Sequence, residues 1–163
     1  MIKSRDLIGR LIVTVTHGEI VGKVKDVLID PDRFEIAALV LQGKMLRRES
    51  LVIPRSVVHV FGEDVVLVKS NETMPRDDTL QNVASLIAVS GQMKGRQIAT
   101  EKGVRVGILN DVLVDEAGKV VGYDLSKVFV TGEVAESKQV PFQATRSVGP
   151  DLIIVDSEAI GLK

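Results

Sequence analysis

The segment Gly22-Lys23-Val24-Lys25-Asp26-Val27-Leu28-Ile29-Asp30 recurs 85 residues later as Gly107-Ile108-Leu109-Asn110-Asp111-Val112-Leu113-Val114-Asp115, with five of the nine positions identical. Upstream, Gly9-Arg10-Leu11-Ile12 matches Gly95-Arg96-Gln97-Ile98 at an offset of 86. Downstream, Val52-Ile53-Pro54 matches Gln139-Val140-Pro141, and Gly62 to Val68 matches Gly149 to Val155, both at 87. The order is kept, and the small shifts fall where turns absorb them. The chain is therefore an internal duplication of one small unit, a constraint that precedes any reading of motifs.

Within each copy the pattern is that of short strands between turns. Leu11 to Thr16 is rich in β-branched residues, which suit a pleated, half-buried surface. Gly18 follows as the residue able to take the positive φ of a tight hairpin, and Gly103 holds the same place in the second copy. Ile20 to Ile29 reads as a long strand, with Gly22 marking a bulge or bend. Asp30-Pro31-Asp32 is a turn, because Pro fixes φ and Asp bonds back to the local backbone. Glu35 to Gln42 is the most continuously apolar strand and so the most buried. Val57 to Phe61 and Val65 to Val68 close the unit around Gly62-Glu63-Asp64. Turn-separated strands at this density predict a small closed or nearly closed barrel.

Between the copies, Leu80, Val83, Ala84 and Ile87 fall at helical spacing, with Asp77, Asp78 and Thr79 available as caps. A helix is expected over 78–89. The predicted organisation is thus mostly β: unit 1 over 1–72, a short helical linker over 73–90, and unit 2 over 91–163. Units of this size bury too little surface to be secure alone. The two are therefore expected to pack on each other, on the helix, or across a homodimer interface formed by exposed strand edges.

Composition narrows the function classes. The 163 residues carry 21 Lys+Arg against 22 Asp+Glu, a net charge of −1, so no global field attracts nucleic acid or acidic lipid. There are no cysteines, which removes thiolate metal sites and cysteine nucleophiles and fits a reducing compartment. The longest apolar run, Ile36 to Leu41, is far short of the roughly 20 residues of a membrane helix. Residues 1–10 lack the apolar stretch of a signal peptide. A cytoplasmic protein without membrane insertion is expected.

Taken together, Gly18, Gly22, Asp26, Asp30-Pro31, Ile36 to Leu41, Val52-Ile53-Pro54 and Gly62 to Val66 resemble the PRC-barrel family. The second copy resembles it through Gly103, Gly107, Asp111, Asp115, Gly118 and Pro141. This barrel is known from the cytoplasmic domain of the photosynthetic reaction-centre H subunit and from the C-terminal domain of a ribosome maturation factor. The resemblance implies two PRC-like barrels in tandem, and assembly or docking in place of catalysis. Its signature residues (Gly18, Gly22, Asp30, Pro54, Gly103, Gly107, Asp115, Pro141) are turn and closure residues, structural in role.

Candidate chemistry is sparse. Gly18-x-x-x-Gly22-Lys23 lacks the spacing and the Ser or Thr of a phosphate loop. Asp26, Asp30 and Asp32, echoed by Asp111, Asp115 and Glu116, could suggest a hard-cation site. Turn formation and edge-strand solubility explain them better. His17 and His59 have no counterparts in unit 2 and no further ligand beside them. Lys44, Arg47 and Arg48 form a basic hairpin tip in unit 1 only and are nominated as a partner contact. The Thr131 to Lys138 loop is likewise peculiar to one copy. No catalytic, cofactor or metal residue is nominated. The expected function is a non-enzymatic interaction module with a protein partner. An RNA- or ribosome-associated factor is the first alternative, and a small-ligand or metal-binding protein the second.

Overall fold

The computed structural model describes residues 1–42, 51–72, 74–75, 87–88, 94–149 and 151–162. The strands in chain order are β1 (Ile2–Lys3), β2 (Leu11–Thr14), β3 (Ile20–Asp30), β4 (Glu35–Gln42), β5 (Leu51–Pro54), β6 (Val58–Phe61), β7 (Val65–Val68), β8 (Met74–Pro75), β9 (Ile87–Ala88), β10 (Gln97–Thr100), β11 (Arg105–Val114), β12 (Val120–Val128), β13 (Gln139–Pro141), β14 (Thr145–Val148) and β15 (Leu152–Val155). A short helix, α1 (Glu133–Ser137), lies between β12 and β13.

The strands form two sheets of the same topology. One runs β6-β7-β2-β3-β4-β5-β8 and the other β13-β12-β11-β10-β15-β14. In each, the first and last strands of the copy pair in parallel, β2 with β7 and β10 with β15. The other neighbours are antiparallel. A 3-10 turn of three residues, Arg55–Val57 or Phe142–Ala144, joins the strands at opposite ends of each six-strand run. Three such residues reach only about 6 Å, whereas five flat inter-strand gaps would span about 24 Å. The sheet must roll up for its ends to be bridged this way. Pro54 and Pro141, each with φ −68°, end β5 and β13 at the start of these turns, where a missing N–H costs the ladder least.

The repeated glycines act through the backbone. Gly18 and Gly103 adopt φ of 64° and 79° in the hairpins before β3 and β11. Gly22 and Gly107 sit beside register shifts in the β2–β3 and β10–β11 ladders, as a bulge predicts. There a side chain would strike the neighbouring strand: a Cβ on Gly22 would stand 2.6 Å from Leu41 Cδ1, and one on Gly107 would land on the Lys127 carbonyl oxygen.

A single cluster of buried apolar residues runs through both copies, including Leu7, Ile12, Val24, Leu39 and Val66 from the first and Ile98, Leu109, Val112, Val140 and Ile153 from the second. β4 is the nearly continuous buried strand that its sequence predicts.

The two units also exchange their leading segments. β1, which precedes the first unit, pairs with β11 of the second, Ile2 opposite Val114 and Lys3 opposite Leu113. β9, which precedes the second unit, pairs with β3 of the first, Ile87 opposite Ile29 and Ala88 opposite Leu28. Each arm fills the half of a long strand that β2 or β10 leaves open. The helix expected over 78–89 does not extend to its last turn: Ile87–Ala88 is a strand, because the edge of β3 offers its backbone groups a ladder that overrides local helical spacing. The remaining positions of that expectation lie outside the described residues.

Where the β3–β4 and β11–β12 hairpins meet, the pairing is again reciprocal. The Ile36 N–H donates to the Gly118 carbonyl at 2.8 Å and the Val120 N–H to that of Phe34 at 2.9 Å. Phe34 takes a left-handed φ of 53°, a conformation costing of order 1–3 kcal/mol outside glycine. Its ring packs on Phe142 of the second unit, centroids 4.7 Å apart. Nearby, the buried Glu35 carboxylate pairs with Lys119 at 2.8 Å and Arg55 at 3.4 Å.

Candidate functional site

The shared acidic positions divide into two roles. Asp30 and Asp115 act within turns as expected, accepting from the Asp32 N–H at 2.9 Å and from the Ala117 and Lys119 N–H groups at 3.0 and 2.9 Å. Asp111 does not. It lies in the middle of β11, 1% exposed, and anchors the exchanged arm of the other unit. Its carboxylate accepts from the Ser4 hydroxyl, the Arg5 N–H at 2.9 Å and the Val112 N–H at 2.7 Å. The Arg5 guanidinium stands 3.7 Å away and reaches the Asn110 carbonyl and side chain at 2.6 and 2.7 Å. The reading of Asp111 as a turn or edge residue is therefore corrected: its partners lie in the distant N-terminal segment. In the first copy, the Val27 N–H donates to Asp26 at 2.8 Å in the matching local geometry.

His17 and His59 are both exposed, and among the described residues no group of three His, Cys, Asp or Glu side chains converges as metal ligands would. Lys44, Arg47 and Arg48 lie outside the described residues. The Thr131 to Lys138 segment, read as a loop, contains α1, which buries Val134. Among the described residues no helix is long and apolar enough to cross a membrane.

The surface feature that remains is a groove at one end of the second unit. Three segments build it: the β10–β11 turn, residues 129–131 after β12, and the C-terminal stretch from Ser157 to Leu162. The Thr100 hydroxyl holds the turn by accepting from the Lys102 and Val104 N–H groups at 3.3 and 3.2 Å. The buried Ser157 ties the C-terminal stretch to that turn. Its hydroxyl and N–H donate to the two carboxylate oxygens of Glu101 at 2.6 and 2.8 Å. The Ser157 hydroxyl holds the Glu101 carboxyl below its ordinary pKa range, against a smaller opposing effect of desolvation. The Phe129 N–H donates to the Val106 carbonyl at 2.8 Å and fixes the third wall.

The groove encloses about 330 Å³ and is lined by Lys102, Val104, Phe129, Val130, Thr131 and Leu162, among others. Val104 and Phe129 are each 46% exposed. The Arg105 guanidinium lies over the Phe129 ring, 4.3 Å from its centroid, and its Nε–H donates to Gln97 at 3.1 Å. A second hollow of about 260 Å³ lies beside α1, between Met1, Val134, Val140 and Ile160. The first can present apolar surface and positive charge together. Ser157 is buried there, with its hydroxyl donated to the Glu101 carboxylate.

Of the groove residues the sequence singled out only Thr131, the first residue of the loop peculiar to one copy. The signal lay in the copy comparison: Val104 stands where the first copy has Glu19. Phe129 is one of only four phenylalanines.

Comparison with known protein families gives one match, made twice. The model of the PRC-barrel domain matches residues 1–74 and again residues 90–160. No curated protein matches the chain. With both matches falling on copies of one rolled sheet, the chain belongs to the PRC-barrel domain family and carries two such domains in tandem.

Proposed function

We propose that this protein is a non-enzymatic docking module that presents a protein-binding groove on the second of its two PRC-barrel units. The observation that carries the reading is the exposed pair Val104 and Phe129, held open by a hydrogen-bonded frame on three segments. Large apolar side chains gathered in one such place mark interaction sites more often than isolated ones do. Membership of a family whose fold serves assembly supports the same class of function.

The test is site-specific photo-cross-linking in the source cell. A benzophenone amino acid at Thr131, which lines the groove, should trap a discrete protein, and the same group at Glu63, on the first unit, should not. Cross-links from neither position, or equal and diffuse ones from both, would reject the docking reading.

The RNA- or ribosome-associated alternative rests on Lys44, Arg47 and Arg48 in the sequence. It calls for salt-dependent RNA binding that Arg47→Ala with Arg48→Ala abolishes. Homodimerisation was expected because small barrels need a surface to pack on. The other unit supplies such a surface within the chain, so self-association stands as a separate proposal resting on exposed strand edges and an amphipathic linker sequence.

A further inference from the structure

We propose that the Val104–Phe129 groove takes a short acidic peptide segment of a partner protein, seating one apolar side chain and pairing its carboxylates with Lys102 and Arg105. This rests on the docking reading and names the chemistry of the partner at the same site.

The argument is one of charge complementarity around an apolar slot. Lys102 lines the groove and Arg105 covers one face of Phe129. Among the described residues, neither has a carboxylate within ion-pair distance. Glu101, the acid between Thr100 and Lys102, has both oxygens engaged by Ser157. The rim therefore offers two cations without an ion-pair partner among the described residues, beside exposed aliphatic and aromatic surface. Stacking on Phe129 and the bond to Gln97 restrain the Arg105 guanidinium, leaving its outer N–H groups directed by a preset plane. A planar fork restrained in this way suits a carboxylate better than a mobile ammonium does.

The arrangement belongs to one copy. In the first unit Glu19 and Ile20 occupy the positions of Val104 and Arg105. An acid would sit in the slot and the stacked cation would be absent. Folding of the shared barrel therefore does not require Val104 and Arg105 at these positions.

An acidic peptide fits better than a nucleic acid. Residues 71–163 carry 10 Lys+Arg against 13 Asp+Glu, a background that opposes a long polyanion but tolerates a few carboxylates at a local cationic rim. Single-stranded nucleic acid also relies on successive aromatic platforms. Here one ring is exposed in the groove, with one face covered by Arg105.

The test is selection of random dodecapeptides displayed on phage against the full chain, followed by anisotropy titration of the recovered peptides. Enriched peptides should place Asp or Glu on either side of Leu, Ile or Phe. Their affinity should fall about tenfold or more in Arg105→Glu and in Phe129→Ser, with unchanged melting temperatures. Amide shifts in the unaltered protein should centre on Val104, Arg105 and residues 129–131, which keeps the proposal testable if a variant misfolds. Enrichment without acidic bias, or binding indifferent to Arg105→Glu, overturns the proposal. The docking reading would still stand if the probe at Thr131 cross-linked a protein in the cell. Binding of a uridine octamer in place of any peptide, sensitive to Arg105→Glu, would overturn both.

Discussion

Ile2 is the ladder partner of Val114, and Val114 occupies in the second copy the place that Ile29, partner of Ile87, occupies in the first. Each unit thus completes a long strand with a segment that belongs, in sequence, to the other. The buried Asp111 fixes one of these arms through Ser4 and Arg5. Asp111→Ala would leave those donors and the Val112 N–H without their acceptor. Unsatisfied buried donors cost about 1–3 kcal/mol, so the variant should lose stability of that order in urea denaturation. Both sheets should unfold in one transition, because a single core runs through them.

Gly22 and Gly107 should not tolerate alanine equally. At Gly22 the new methyl meets chiefly the end of the Leu41 side chain, which can turn away. At Gly107 it meets the Lys127 carbonyl oxygen, which is part of the ladder. Overpacking of this kind costs about 1–3 kcal/mol. Gly107→Ala should sit at the upper end of that range and Gly22→Ala at the lower, as measured by denaturant midpoints at constant slope.

Tyr123 is the only tyrosine in the chain, so its ionisation can be followed alone by ultraviolet difference absorbance. Burial pushes its phenol above the ordinary value of 10.0, partly opposed by the hydrogen bond with Thr145. The folded state then holds the phenol proton more tightly than the unfolded chain does. Its contribution to stability is whole below about 10 and is lost as pH rises through the folded value. Tyrosinate absorbance should therefore appear later than in denatured protein, and Thr145→Val should delay it further.

Glu101 gives the opposite dependence at low pH. Its carboxyl is held below the ordinary 4.5, first by the Ser157 hydroxyl. The resulting stabilisation is present above the unfolded value and is lost as pH falls through the folded one. Acid denaturation of Glu101→Gln should lack this component, so its midpoint curve should be flatter below about 4.5. Glu101→Gln should also loosen the groove frame, visible as faster amide exchange at Ser157.

Much of the barrel was legible because its determinants are local. The β4 run, the turn at Gly18 and its echo at Gly103, and the prolines closing β5 and β13 each announce themselves within a few residues. The exchanged arms do not. A two-residue strand such as Ile2–Lys3 has no periodicity to read, and Ser4 meets Asp111 across 107 positions of sequence. Ile87–Ala88 carried a helical pattern that an open edge of β3 overrode. The groove was hidden for a related reason, since it joins a hairpin turn, the end of β12 and the C-terminal stretch. Only Val104 in place of Glu19, and the Thr131 to Lys138 loop carried by one copy, hinted at it.

The swapped arms also set the kinetic order of assembly. Two separate barrels trading such arms would have to meet by diffusion, and their melting temperature would drop on dilution. Covalent connection replaces that encounter with an effective concentration of about millimolar for a short tether. Docking of the two arms is then a first-order step within one chain.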